Sequence, residues 1–329
     1  MDLDVETRRE AHFFDKDENQ YDYLVSKIKN ADFLSDPFPH LLIEDFLSDD
    51  HLELLLSDTQ VQRPPVETTE DLISDLLEVG YNVQPFPGCT TSVQEYLDCF
   101  NKNSWPVDEG YLEGFGLTFR LKNFWSDEVR KLIDFLNSKP FHDALKDKFA
   151  IKRPNRVETA IHKYLSGYEI SPHPDLRAKC LTYLLNINTT PSAKDIDIHT
   201  HLLKFKPSKE YIYNFWEHNP EFDTSWVPWD WCETTKKIAD NNTIVLFAPS
   251  NRTLHAVKLR YDHRAFQRTQ IYGNLWYDDA PKLLPQPHYR DLEVRISEEN
   301  RDRRQIAKSR GTPKPEAKPK KAARWFKFR

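Results

Sequence analysis

Ile244-Val245-Leu246-Phe247-Ala248-Pro249-Ser250-Asn251-Arg252-Thr253-Leu254-His255-Ala256-Val257 reads as a buried strand, a proline-containing turn and a returning strand that carries a histidine. Segments of the same texture lie on both sides of it. The ranges 157–165, 179–187, 196–205, 242–247, 253–259 and 267–277 are short and rich in β-branched or aromatic residues. Many short strands over roughly 120 residues, with prolines marking the turns, predict an antiparallel sandwich or jelly roll. Between the third and fourth of these strands lies an insertion, 208–235, carrying Tyr211, Tyr213, Phe215, Trp216, Phe222, Trp226, Trp229 and Trp231.

The first 150 residues read differently, mainly as helices with one early strand. Pro37-Phe38-Pro39 leads into His40-Leu41-Leu42-Ile43-Glu44-Asp45-Phe46, a strand after a proline-fixed turn. Ser48-Asp49-Asp50 supplies N-cap chemistry for a helix through Leu56, and a second helix is expected from Ser126. Its acids Asp127 and Glu128 suit the helix dipole, and Val129, Leu132, Ile133 and Leu136 recur at helical spacing. The expected organisation is α+β with a mainly β core. Residues 1–150 form a supporting region, 151–288 the β core with its insertion, and 289–329 a charged helix (293–308), a Pro/Lys linker and a basic tail.

Composition narrows the function classes. The chain holds 22 Pro against 8 Gly, which favours fixed turns over flexible hinges. No segment reaches the ~20 apolar residues that cross a bilayer, and Met1-Asp2-Leu3-Asp4 lacks the basic start and apolar run of a signal peptide. Cys89, Cys99, Cys180 and Cys232 show no C-x-x-C spacing, so reduced cysteines and a cytoplasmic location are expected. The net charge of −6 conceals a tail, 301–329, of +10 on a body of −16. A localised basic segment is a feature for binding rather than for folding.

Of the 12 histidines, His173 stands out in Tyr164-Leu165-Ser166-Gly167-Tyr168-Glu169-Ile170-Ser171-Pro172-His173-Pro174-Asp175. On extended backbone residues i and i+2 face the same way, so His173 and Asp175 can direct an imidazole and a carboxylate at one point. Pro172 and Pro174 keep the flanking chain extended. With His255 from a distant strand, the set becomes the two-His, one-carboxylate face of non-haem Fe(II) oxygenases. His51-Leu52-Glu53 is a decoy, because on a helix positions i and i+2 diverge. His199 and His201 alternate on a strand but show no acidic partner at matching spacing. His162 is expected to be a pocket wall or a satisfied core histidine. A carboxylate-bearing cosubstrate needs a cation, and arginine offers the bidentate fork. Arg268 with Gln270 on the same strand face is preferred, and Arg264 is the runner-up.

These residues resemble the 2-oxoglutarate/Fe(II) dioxygenase superfamily, in its prolyl 4-hydroxylase-like branch. The family's Tyr-x-x-Gly, five residues, His-x-Asp arrangement is matched by Tyr164, Gly167, His173 and Asp175. Its strand rich in Leu, Thr and Tyr and ending in Asn is similar to Leu181-Thr182-Tyr183-Leu184-Leu185-Asn186-Ile187-Asn188. Its distal His, then Val, then Arg resembles His255, Val257 and Arg268, and its opening Pro-Phe-Pro-His is matched at Pro37 to His40. The similarity spans roughly 37–60 and 155–280. Three departures stand: Ile170 replaces an aromatic, Asn186 sits where many relatives place a cosubstrate-holding Tyr, and His199-Thr200 replaces a Gly-Gly or Gly-Thr pair. They weaken any expectation of peptidyl-proline specificity.

The resemblance implies a double-stranded β-helix with helices supporting one sheet. It also implies Fe(II), 2-oxoglutarate and O2 as cofactors, with ascorbate as an aid in vitro, and Tyr164, Thr182, Asn186, Gln270 and Arg268 around the cosubstrate. Asp175, a full carboxylate, implies hydroxylation rather than halogenation. A small-molecule substrate (amino acid, sugar or secondary metabolite) is expected first and a protein side chain second. A metal-free jelly-roll binding module and a zinc hydrolase with the same ligand set are the rival classes. The insertion could be a lid over the site or a satellite hydrophobic cluster. Lys318 to Arg329 mixes cations with Trp325, Phe326 and Phe328, which suits an anionic membrane surface or nucleic acid, or a solvated tail.

Overall fold

The computed structural model of the chain describes residues 19–84, 92–103, 113–190 and 193–292. The segment expected as a charged helix, the linker and the basic tail lie outside these residues. The chain divides into two units, Met1–Pro287 and His288–Arg329. Of the second, the described residues form a short 3-10 turn, Tyr289–Leu292.

The first unit begins with helix α1 (Tyr23–Asn30), strand β1 (Leu41–Ile43), α2 (Asp49–Ser57), α3 (Thr69–Glu78), β2 (Tyr81–Val83) and α4 (Val93–Asn101). It continues with β3 (Glu113–Phe115), β4 (Thr118–Leu121), α5 (Asp127–Leu136) and α6 (Lys139–Lys148). Strands then dominate: β5 (Asn155–Tyr164), β6 (Glu169–His173), β7 (Lys179–Asn186) and β8 (Thr200–Phe205). Helix α7 (Tyr211–His218) precedes β9 (Cys232–Ile238), β10 (Ile244–Phe247), β11 (His255–Lys258) and β12 (Arg268–Tyr277). Helix starts follow local chemistry. Ser48, Thr68, Ser92 and Ser126 each accept a backbone N–H three residues on, which satisfies a donor left over at the first turn.

The strands form two antiparallel sheets. The major one runs β1-β10-β7-β12-β5-β4-β2 and the minor one β3-β6-β11-β8-β9. Facing each other, they make a jelly roll, or double-stranded β-helix. Side-chain parity assigns the faces. On β7, Leu181, Tyr183 and Leu185 join the core beneath the helices, while Leu184 joins Val245, Phe247 and Leu202 between the sheets. On β12, Ile271 and Leu275 face the helices and Tyr272 the interior. The helical side is the larger core: Leu24 and Ile28 of α1, Leu132 and Leu136 of α5 and Phe141 of α6 lie against it.

Three findings correct the sequence expectation. Residues 1–150 contribute four strands rather than one: β1, β2 and β4 extend the major sheet and β3 borders the minor one. The additional strands have only three or four residues, too few for an alternating pattern to register. The last residues of the expected insertion, from Cys232, are β9, whose alternation is blurred by Thr234-Thr235-Lys236-Lys237. Residues 169–173 form the separate strand β6 between β11 and β3.

At Gly273 the sheet admits only a hydrogen. A Cβ there would lie 2.0 Å from the Tyr183 ring, and that ring is locked on the neighbouring strand by the hydrogen bond between its hydroxyl and Thr159. Gly273→Ala is expected to cost about 2–3 kcal/mol through overpacking, read as a lower urea midpoint with an unchanged slope.

Candidate metal centre and its cavity

His173 closes β6 and His255 opens β11, and the two are paired across the antiparallel ladder. Directly opposed residues point to the same face, so their rings meet, with centroids 4.4 Å apart. His173 Nδ1 lies 2.8 Å from the Ser171 carbonyl and His255 Nδ1 lies 3.0 Å from that of Thr253. A carbonyl only accepts, so both Nδ1 atoms carry the proton and both Nε2 atoms are bare lone pairs. Asp175, two residues beyond β6, brings Oδ2 to 3.8 Å from His255 Nε2. One ligand atom from each of the three residues lies within 4.8 Å of those of the others.

The carboxylate is held from behind. Lys179 Nζ donates to Asp175 Oδ1 at 2.5 Å and to the Tyr272 hydroxyl at 2.8 Å, while the Thr182 hydroxyl donates to Asp175 Oδ2. Thr224 Oγ donates to the backbone oxygens of Pro174 and Asp175, and Val227 N–H donates to that of Pro172, so the insertion clasps the ligand loop. Burial pushes the His173 imidazole down to about 3, with His255 adding to the effect. Burial likewise lowers His255, against the pull of Asp175. For Asp175 burial acts upward, but the charge of Lys179 and its hydrogen bond outweigh it and leave the group below the ordinary carboxylate range. Neutral imidazoles and an ionised carboxylate are the protonation states that a divalent metal requires.

The three residues line a cavity of about 200 Å³ between the sheets, together with Tyr164, His162, Arg268, Gln270 and Tyr272. Arg268 is 1% exposed. Its Nε donates to the Ile198 carbonyl and its Nη2 to Thr200 Oγ, both at 2.9 Å, and the guanidinium lies 4.7 Å over the Tyr164 ring. Nη1 has no partner and no carboxylate pairs with the group among the described residues. Leaving a guanidinium in this state is costly. Arg264, the alternative, lies at the surface against Asp262.

Other sequence candidates take different places. Thr182 is engaged with Asp175, as described. Asn186 accepts from Gln270 Nε2 at 2.7 Å and its own amide donates to the Asp240 carbonyl, so it orients Gln270 and does not line the cavity. Lys179 and Tyr272 were missed. Tyr272 was findable from its i+4 position to Arg268 on one strand face, whereas Lys179 carries the signature of an ordinary surface ion pair. His199 and His201 do have an acidic neighbour, Asp197, whose ligand atoms lie within 4.8 Å of theirs. His201 pairs with Ala256, out of phase with His255, which puts this group on the face away from the cavity. The insertion fits both of its readings. Trp226 walls the cavity with its ring 6.3 Å from His173, while Tyr213 and Trp216 pack on Phe205 as a local cluster.

No family model and no curated protein matches the chain. Among solved structures it is similar to a Pseudomonas putida prolyl-4-hydroxylase, at 9% identity and TM-score 0.40, over 78% of this chain and 98% of that one. It is also similar to a prolyl hydroxylase from Trichoplax adhaerens in complex with a hypoxia inducible factor oxygen degradation domain peptide fragment, at 10% identity and TM-score 0.39, over 78% and 91% of the two chains. A third is an oxidoreductase of the 2OG-Fe(II) oxygenase family from Burkholderia pseudomallei, at 12% identity and TM-score 0.33, over 67% and 97%. At these values neither a residue's role nor an activity transfers.

Two predictions arise from the electrostatics. Lys179→Met strands a buried carboxylate and should destabilise the metal-free protein by about 3 kcal/mol. Added Mn²⁺ should recover part of the lost melting temperature, because a dication takes over the missing charge. His162 is held down to about 3 by burial, then by Arg120 and Lys122, against an unfolded value of about 6.5. The folded form thus refuses a proton that the unfolded chain accepts, and stability is lost as pH falls from 6.5 toward 3. In His162→Phe the slope of stability against pH between 6 and 4 should be shallower by up to about 1.4 kcal/mol per unit, measured by urea titration at each pH.

Proposed function

We propose that the chain is an iron(II)- and 2-oxoglutarate-dependent oxygenase that hydroxylates a small molecule. One observation carries the reading: two imidazole Nε2 atoms and a carboxylate converge in a cavity that also holds a buried arginine without an anionic partner among the described residues. The donor set fits ferrous iron, since His173, Asp175 and His255 offer two neutral nitrogens and one charged oxygen and leave room for exogenous ligands. When bound, iron and 2-oxoglutarate supply the O2-derived oxidising power, and the cosubstrate leaves as succinate and CO2.

The chain's own residues do the positioning. Arg268 binds the distal carboxylate through its spare Nη1, its Nε and Nη2 each already donating, to Ile198 and Thr200. Tyr164 lies beneath the guanidinium and Gln270 extends the polar wall. Lys179 and Thr182 fix the rotation of Asp175 so that Oδ2 faces the imidazoles. Trp226, Leu176 and Val257 give the cavity apolar walls that exclude water. A volume of about 200 Å³ suits the cosubstrate and one small substrate. The +10 segment at 301–329 is proposed to associate with an anionic partner, membrane surface or nucleic acid, in a salt-sensitive manner.

Anaerobic addition of Fe(II) and 2-oxoglutarate should develop a weak visible charge-transfer band that His173→Ala abolishes; a zinc hydrolase or a metal-free binding module gives no such band. Arg268→Ala should weaken 2-oxoglutarate binding by about 100-fold, as for loss of a charge-assisted pair, with iron affinity little changed. If Arg264→Ala has that effect instead, the cosubstrate assignment is wrong. A survey of metabolite classes and peptides for stimulated succinate release, with ascorbate present, identifies the substrate; stimulation by peptides alone would overturn the small-molecule reading.

A further inference from the structure

His162 has no partner where one is needed. It lies on β5, is 3% exposed, lines the cavity, and neither ring nitrogen has a hydrogen-bond partner among the described residues. Its neighbours are rings, Tyr164 at 5.9 Å and Tyr272 at 5.4 Å between centroids. Burial, reinforced by the charges of Arg120 and Lys122, keeps the imidazole neutral. A neutral imidazole still presents one N–H, and a buried N–H without an acceptor is unfavourable. A phenyl ring would fill the same space among the tyrosines without that penalty.

The ladder shows what shares the defect. His162 is directly opposite Gln270, and Tyr164 is directly opposite Arg268. His162 and Arg268 are therefore diagonal neighbours on one face of one sheet, a separation of about 7–8 Å between backbones that long side chains span. Arg268 Nη1 is a second buried donor of the cavity lining with no acceptor among the described residues; a third, Trp226 Nε1, belongs to the ring beside His173. Two unsatisfied donors, His162 and Arg268 Nη1, thus belong to one face of one sheet and line one cavity, and a group with two negatively polarised oxygens would satisfy both. A single carboxylate is such a group.

We infer that His162 donates a second hydrogen bond to the distal carboxylate of the cosubstrate, beside Arg268. This rests on the oxygenase reading. His162 thereby becomes part of the recognition of a dicarboxylate over a monocarboxylate 2-oxo acid, and its neutral form suits the task because it adds a donor without a second buried charge.

The test measures binding directly, by anaerobic titration of the iron-loaded full chain and by calorimetry with Mn²⁺ in place of iron. Three probes are used: 2-oxoglutarate, its stable analogue N-oxalylglycine, and 2-oxobutyrate, which lacks the distal carboxylate. His162→Phe should weaken both dicarboxylates about 10-fold and leave 2-oxobutyrate unchanged. His162→Gln, which keeps an N–H donor, should recover most of the loss. The ligand-free His162→Phe protein should melt at a higher temperature than wild type, while its gain on adding 2-oxoglutarate shrinks. If His162→Phe binds 2-oxoglutarate as tightly as wild type while Arg268→Ala does not, the inference is overturned and the oxygenase reading stands. An equal loss for 2-oxobutyrate and the dicarboxylates also overturns it, because the effect would then not arise at the distal carboxylate. If wild type binds none of the probes with metal present, the oxygenase reading itself fails.

Discussion

The pairing of β6 with β11 is the constraint on which the rest of this molecule turns. By setting His255 opposite His173 in antiparallel register, it brings together two side chains separated by more than eighty positions in the chain. Each ring is then fixed by a carbonyl two residues earlier in the chain. The backbone thus decides both where the imidazoles stand and which nitrogen is bare. A slip of one residue in this ladder would turn one histidine out of the sandwich. The register irregularity just beyond His255 leaves the site pair itself in register.

A second level of support lies behind the ligands. Asp175 is outside any strand, and its orientation comes from Lys179, Thr182 and the clasp of the insertion. The contrast with Arg268 is instructive. Lys179 is buried and paired, so its charge is balanced within the fold. Arg268 is buried and, among the described residues, balanced only by neutral oxygens and a tyrosine face. Folds tolerate such a charge where something from outside supplies the missing partner, and local rules are broken most often at functional sites.

Much of this was legible in the sequence, for identifiable reasons. His173-Pro174-Asp175 sits on proline-stiffened extended chain, and the strand-turn-strand from Ile244 to Val257 announces both a sandwich and a third candidate ligand. Arg268 and Gln270 follow from parity on a long strand. Other features escaped because their signals are degenerate. Strands of three residues have no period. Asp-x-x-x-Lys reads as an exposed ion pair until Asp175 is known to be buried. Asn186 and Thr182 lie on the inward parity of β7, yet their hydrogen bonds to Gln270 and Asp175, which no spacing encodes, give them supporting contacts instead. Asp197 was overlooked beside His199 and His201 although it continues their alternation.

The alternation on β5, β7 and β12 also has a bearing on how such a protein can change. Along the middle of these strands alternate residues such as Ile161, Leu185 and Ile271 belong to the helix-backed core, and intervening ones such as His162, Leu184, Gln270 and Tyr272 line the cavity. Mutations at cavity positions such as Leu184, Gln270 or Tyr272 alter what the molecule accepts while sparing the layer that keeps it folded. A lineage could therefore explore new ligands one residue at a time, whereas the intervening positions, Tyr183 over Gly273 above all, leave almost no room for drift.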